Sequence, residues 1–361
     1  MRETIIKKFW LIFSAILMFS YAGFAGINIA GKISDLQTTE GISDATVSLV
    51  GTNISTQSLA DGSFILQDVP RFSSGFQIKV SKSKYVTTYT LLGNIEDTDI
   101  SDISFPMFST SVYNMMPSVG GVPHTPGKGD ITGMVNLEGS DHSGVRITAK
   151  YMDTNQSAGT IRYIGENNYP SSSLTSTSSN GMFVIYNVDA SRPIVITGEK
   201  SGVILSGCSV IGYPDSITVA SIETVQSKIP ISGIVCDNDD TGVSGVNISI
   251  LGTGISTTSG TTGLFNLDVP PISYGIMKLS KTGYIDTYQS GNIEEHDSDD
   301  GPEEFSIVSQ TFYNQLLSLL GKTHISGRGD ILGEVETPNG FVMADVTVKV
   351  YDKDGTLLHP D

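Results

Sequence analysis

The chain has 361 residues and a formal net charge of −17, with only 16% of its residues charged. That acidity excludes the basic surface that phosphate contacts need, so nucleic acid is not an expected partner. Two cysteines, Cys208 and Cys236, are too few for the disulfide framework that holds many small exported domains.

Residues 1–25 carry the parts of a secretory signal in order. A basic start (Arg2, Lys7, Lys8) is followed by an apolar run from Phe9 to Phe19 and then by small residues at Ala22, Gly23 and Ala25. Cleavage is expected after Ala25, giving a secreted or cell-surface protein. The apolar core is too short to span a bilayer with its flanks, and no later stretch is apolar enough, so no membrane span is expected in the mature chain. Three basic residues and one acidic one leave with the signal, which takes the formal charge from −17 to −19.

From residue 27 the apolar residues alternate, the pattern of half-buried strands. Strands are predicted at 27–33, 45–50, 55–59, 63–66 and 76–80. Ala45, Val47 and Leu49 share one face of the second, and Phe76, Ile78 and Val80 one face of the last. Ala60-Asp61-Gly62 suits a tight turn with a positive φ.

The chain then repeats at an offset of 198 to 201 residues. Asp61-Gly62-Ser63-Phe64 falls on Thr262-Gly263-Leu264-Phe265, Gly93-Asn94-Ile95-Glu96 on Gly291-Asn292-Ile293-Glu294, and His124 on His324. A Gly-x-Val or similar phrase also recurs about every hundred residues, at Gly31, Gly133, Gly233 and Gly333. The expected organisation is a module at 27–125, a divergent one at 126–228, a repeat of the first at 229–325 and the start of a fourth at 326–361. The fourth holds too few strands to close a sandwich, so the natural protein is expected to continue beyond Asp361. Seven or so short strands per module predict an all-β fold of tandem β-sandwiches. Cys208 and Cys236 fall in different modules, and whether they pair is left open.

The run from Gly41 to Thr52, followed by Asp61-Gly62-Ser63-Phe64, Val69-Pro70, Lys82 and Tyr85, resembles carboxypeptidase-regulatory-like domains. The third module resembles them more closely, ending in Ser280-Lys281-Thr282-Gly283-Tyr284. The second keeps Ser143-Gly144-Val145 and Asn180-Gly181-Met182-Phe183 around a longer polar insertion at 151–177. The resemblance implies prealbumin-like (transthyretin-like) sandwiches, related to starch-binding-like modules, and implies no peptidase activity. Such motifs are turn and core residues, so function has to come from a site.

No catalytic constellation is evident. The five histidines, His124, His142, His296, His324 and His359, are widely separated and lack a His-x-x-Glu pair, and no Gly-x-Ser-x-Gly elbow or phosphate loop occurs. Oxygen ligands for calcium are available in Asp237, Asp239, Asp240, Asp297, Asp299 and Asp300, with Glu96, Asp97, Asp99 and Asp102 at the corresponding place in the first module. No EF-hand spacing is present, and solvated acidic loops are the competing reading. Tyr163, Tyr169, Tyr186 and Tyr213 are candidate platforms for carbohydrate, against a role in packing. Tyr113-Asn114, His124 and Lys128-Gly129-Asp130 recur as Tyr313-Asn314, His324 and Arg328-Gly329-Asp330, suggesting a repeated interface between modules. Arg328-Gly329-Asp330 spells an integrin-recognition tripeptide, but its counterpart has Lys128 and the Gly-Asp pair more simply opens a strand. The reading is a non-catalytic exported array acting as spacer and interaction modules, meeting protein or polysaccharide ligands through loops. Carbohydrate-binding accessory modules and the non-catalytic region of a larger hydrolase are the alternatives.

Overall fold

The computed structural model describes residues 26–70, 76–90, 92–93, 98–293, 302–325, 329–331, 350–351 and 357–358. The expected signal peptide and most of the fourth module lie outside them. Three β-sandwiches follow one another, each around its own hydrophobic core.

The first is built from β1 (Ile27–Asp35), β2 (Thr46–Leu49), β3 (Ser55–Gln57), β4 (Ser63–Val69), β5 (Ile78–Ser81), β6 (Thr88–Tyr89) and β7 (Ile100–Met107). β4, β1 and β7 form one sheet, in which β1 runs antiparallel to β4 and parallel to β7; β3, β2, β5 and β6 face it. Alternation chose these faces: Ala45, Val47 and Leu49 are buried, as are Ile78 and Val80. Each of these valine, leucine and isoleucine side chains contributes about 1.5–3 kcal/mol on burial.

Helix α1 (Thr110–Val119) leads to the second sandwich, made of β8 (Gly129–Asn136), β9 (Arg146–Tyr151), β10 (Thr160–Ile164), β11 (Pro170–Ser171), β12 (Met182–Val188), β13 (Pro193–Glu199), β14 (Gly207–Ile211) and β15 (Ile217–Glu223). The 151–177 insertion contributes β10 and β11, which extend the β12–β8–β15 sheet at one edge. The third comprises β16 (Ile229–Cys236), β17 (Asn247–Ile250), β18 (Ile255–Thr258), β19 (Leu264–Val269), β20 (Ile272–Ser280), β21 (Thr287–Ile293) and β22 (Glu303–Ser306). It is followed by α2 (Gln310–Leu319) and a short pair, β23 (Val350–Tyr351) and β24 (Leu357–Leu358). The order β4–β1–β7 recurs as β12–β8–β15 and β19–β16–β22, with the outer pairing to the last strand parallel each time.

The recurring glycine phrase has a packing cause. Gly31, Gly133 and Gly233 stand directly across from Phe64, Phe183 and Phe265 on the paired strand. A Cβ on Gly133 would lie 2.2 Å from Phe183 Cζ, so the missing side chain makes room for the ring. At the Asp61-Gly62 turn, Gly62 has φ +84°, and a Cβ there would meet the Ile33 carbonyl oxygen at 2.1 Å. The Asp61 carboxylate accepts from the backbone N–H and the hydroxyl of Ser63, closing the turn.

The two helices were not anticipated from alternation. Ser109 and Ser309 cap them, accepting from the N–H of Val112 and of Phe312. α1 lies against the outer face of the second sandwich, where Met116 and Val122 pack on Ile164, Val184 and Tyr186. That outer face is apolar in β12 (Met182, Val184, Tyr186), whereas β4 offers Ser63, Ile65 and Gln67 and β19 offers Leu264, Asn266 and Asp268. A strand covered on both sides reads as a continuous apolar run, which Met-Phe-Val-Ile-Tyr in β12 is.

Sheets also run through both junctions. β15 has β8 on one side and β6 of the first sandwich on the other, through Ile217 with Thr88 and Thr218 with Tyr89. β14 meets β20 of the third sandwich at Gly207 and Ile272. Ser209 reinforces this: its N–H donates to Ser273 Oγ, its hydroxyl donates to the Tyr274 carbonyl, and its own carbonyl accepts from Leu92 N of the first sandwich at 2.8 Å. Met152 and Val195 of the second sandwich join the core of the third.

Candidate functional site

The strongest concentration of buried polar chemistry lies where α1 meets the second sandwich. Alternation along β8 turns Ile131, Gly133 and Val135 into the core and leaves Asp130 and Thr132 on the opposite face, beneath the helix. Asp130 is 2% exposed. Its Oδ1 accepts from Asn187 N at 2.8 Å, while no hydrogen bond reaches Oδ2. His124 Nδ1 stands 3.5 Å from Oδ2 and 3.3 Å from the Tyr113 hydroxyl, and His124 Nε2 lies 3.0 Å from Asp215 Oδ1.

Electrostatics follow from burial. Loss of water holds the Asp130 carboxyl above its ordinary range, opposed by the Asn187 N–H, Tyr113 and His124. Burial, and next the Asp130 charge, push the Tyr113 phenol upward, so it remains a donor. Asp215 is held low by the hydrogen bond to His124 and by the Gly127 N–H. Both imidazole nitrogens are engaged by a carboxylate or the phenol, so the group fixes the connection between helix and sheet instead of presenting a free base.

The arrangement recurs after α2. The Tyr313 hydroxyl contacts His324 Nδ1 at 3.0 Å and donates to Asp330 Oδ2, with His324 Nδ1 3.5 Å from that oxygen. Lys128 pairs with Asp189, which also accepts from Arg192 at 2.8 Å. Arg328, and with it the full tripeptide, lies outside the described residues; Gly129-Asp130 does open β8.

Beside this cluster is a cleft of about 550 Å³ between α1 and the β8–β12–β10 face, with Asp130, Met116, Val184 and Tyr186 in its walls and Tyr169 also lining it. The sequence offered His124 and Asp130 as a repeated pair but not the cleft, because no local pattern says that a helix will cover this sheet.

The four candidate tyrosines separate. Tyr163 is 5% exposed and its hydroxyl accepts from Ile147 N inside the core, which corrects the reading of it as a surface platform. Tyr186 is 2% exposed and is likewise unavailable for stacking from solvent; it is a wall of the cleft. Tyr213 is half-buried, stacked on Tyr89 with ring centroids 3.8 Å apart, its hydroxyl donating to Gln77 Oε1. Tyr169 is 44% exposed.

Of the calcium candidates, Asp297, Asp299 and Asp300 lie outside the described residues, as do Glu96 and Asp97. Asp237 Oδ1 accepts from the N–H groups of Asp239 and Thr241, so its carboxylate closes the turn. Asp239 and Asp240 are exposed. Among the described residues no three His, Cys, Asp or Glu side chains are grouped to hold a metal ion. Cys208 and Cys236 are free and buried. No described helix is long and apolar enough to cross a membrane.

No family model matches the chain and no curated protein matches it, so the resemblance to carboxypeptidase-regulatory-like modules rests on the residues quoted above. Among solved structures, a streptococcal ancillary pilin is similar over 79% of this chain and 99% of its own, at 13% identity and a TM-score of 0.24. BcpA, the major pilin subunit of Bacillus cereus, matches over 78% and 99% at 9% identity and a TM-score of 0.19. GBS52, the minor pilin of Streptococcus agalactiae, matches over 56% and 98% at 10% identity and a TM-score of 0.20. At such TM-scores the likeness carries no argument about activity, assembly or partners.

Proposed function

We propose that this chain is an exported, non-catalytic spacer of tandem β-sandwich modules, divided near residues 125, 228 and 325, which holds interaction loops at fixed positions. The observation that carries the reading is the continuation of sheets through both junctions. A flexible string of beads needs junctions that cross without backbone pairing; here β6–β15 and β14–β20 pairing, with the Ser209 bonds, oppose bending. The signal-like start and the acidic balance support residence outside the cell. Protein or polysaccharide ligands would meet loops at the sandwich ends, where rigid scaffolds present recognition residues.

The test is the distance between the first and third modules, which spans both junctions. Spin labels on Gln57→Cys and Thr261→Cys, in the first and third sandwiches, should report one narrow distance distribution. A broad distribution, as independent modules on linkers give, would defeat the spacer reading.

A further inference from the structure

The cleft under α1 is apolar in its walls and carries no open charge. Met115 and Met116 line it from the helix, Met182 and Val184 from β12, and the exposed turn Asn167-Asn168-Tyr169 forms its rim. Its volume of about 550 Å³ is that of a small-molecule site. Methionine is unbranched and polarisable, so thioethers on both sides of the cleft adapt to a flat ring and favour sulfur–aromatic contact. Asp130 is the one Asp, Glu, Lys, Arg or His in the lining. Its Oδ1 is taken by the Asn187 N–H, and its Oδ2 is shielded from solvent with His124 Nδ1 3.5 Å away.

Two hydroxyls in the lining differ from Asp130. Thr132, half-buried on β8, and Tyr186, 2% exposed on β12, have no hydrogen-bond partner among the described residues. The Tyr186 hydroxyl still keeps accessible surface, because the buried side-chain oxygens cut off from both solvent and partner are Asp130 Oδ2 and Thr224 Oγ1. Burial, and next the Asp130 charge, push the Tyr186 phenol upward, so it stays a neutral donor and acceptor. Buried polar groups are nearly always paired, so two unpaired hydroxyls on neighbouring strands of one apolar cleft point to a ligand that pairs them. The combination belongs to the second sandwich: counted from the phenylalanine opposite the glycine, the places of Met182 and Tyr186 hold Ser63 and Gln67 in the first and Leu264 and Asp268 in the third. A packing role common to all three modules does not explain it.

We propose that this cleft binds an uncharged aromatic molecule bearing a hydroxyl, its ring among Met116, Met182 and Val184 and its hydroxyl paired with those of Thr132 and Tyr186. A hydroxyl both donates and accepts, as its two partners do. An ammonium finds no open carboxylate here, a carboxylate meets no cation, and either ion loses water that nothing in the cleft replaces. The molecule is a ligand, not a substrate: no bond is made or broken. The site adds to the spacer role and does not depend on it.

The experiment is calorimetric titration of the full chain with naphthalen-2-ylmethanol, naphthalen-2-ylmethylamine and 2-naphthoate, one ring system carrying a hydroxyl, an ammonium or a carboxylate at neutral pH. Saturable binding is expected for the alcohol, and at least about tenfold weaker binding for either ion. Thr132→Val combined with Tyr186→Phe removes both hydroxyls at nearly constant shape and should lower alcohol affinity at least about tenfold. Met116→Trp, which fills the cleft, should abolish binding while the melting temperature holds. The proposal is overturned if the wild-type chain binds no alcohol, if all three probes bind alike, or if either variant folds and binds the alcohol as before. Should Met116→Trp fail to fold, the probe ranking and the variant without the two hydroxyls decide.

Discussion

Tyr213 of the second sandwich lies flat on Tyr89 of the first, with ring centroids 3.8 Å apart and planes 13° from parallel. The pair sits beside the two-residue β6–β15 pairing and is anchored by Gln77, whose Oε1 accepts from Tyr213 and whose Nε2 donates to the Thr90 carbonyl. A double-mutant cycle with Tyr89→Leu and Tyr213→Leu should give a coupling of about 0.5–1.5 kcal/mol, measured by denaturant unfolding. Additivity of the two substitutions would mean that the stack does not hold the junction.

Gly133 should tolerate no side chain. Gly133→Ala places a methyl into Phe183, which is fully buried, and is expected to cost about 1–3 kcal/mol. Adding Phe183→Leu to the alanine variant should restore part of that loss, because the smaller side chain yields the space. If the double variant is less stable than the sum of both changes, the ring is not what excludes the methyl.

Carboxylates in this chain pull pH dependence in opposite directions. Asp189, held low first by Lys128, Asp153, held low by Arg192, and Asp215, held low by His124, are depressed in the fold. Their contribution is present above the unfolded value and disappears as pH falls through the folded ones. Asp130 is raised from 3.8, so the fold binds its proton more tightly than the unfolded chain does. Its effect is therefore most favourable at low pH and declines as pH rises from 3.8 through the raised value. The melting temperature of Asp130→Asn minus that of the natural chain should accordingly be smallest near about pH 3, grow through that window and then level off. A difference that shrinks with rising pH would contradict the assignment.

Neither thiol should react in the native protein. Burial pushes the Cys208 thiol up to about 12, and Cys236 is raised by burial, then by the neighbouring Glu304, Asp240 and Asp237 charges. A thiol-exchange reagent such as DTNB should find no reactive cysteine in buffer and two in guanidinium. Rapid labelling of the folded chain would show that one of the two is open to solvent.

Much of the architecture is legible because it is local. Alternation in Ala45-Thr46-Val47-Ser48-Leu49 fixes one buried face, and Asp61-Gly62 fixes its turn through the left-handed φ that only glycine adopts freely. The glycine phrase at 31, 133 and 233 was visible as a repeat, though its meaning as a seat for a phenylalanine required knowing which strand lies opposite. The helices left a weaker trace: Ser109 and Ser309 as caps, and Val112, Tyr113 and Met116 at helical spacing, in a segment read as a repeated interface between modules.

What the amino-acid sequence determined alone is the strand content, the turns and the duplication of modules, since each depends on residues near one another along the chain. The tertiary structure decided that α1 covers β12, which buries Tyr186 and creates the cleft at Asp130, and that Tyr213 rests on Tyr89. Those outcomes join residues from about fifty to more than a hundred positions apart, and a period of two tells which residues share a face but not what that face will meet.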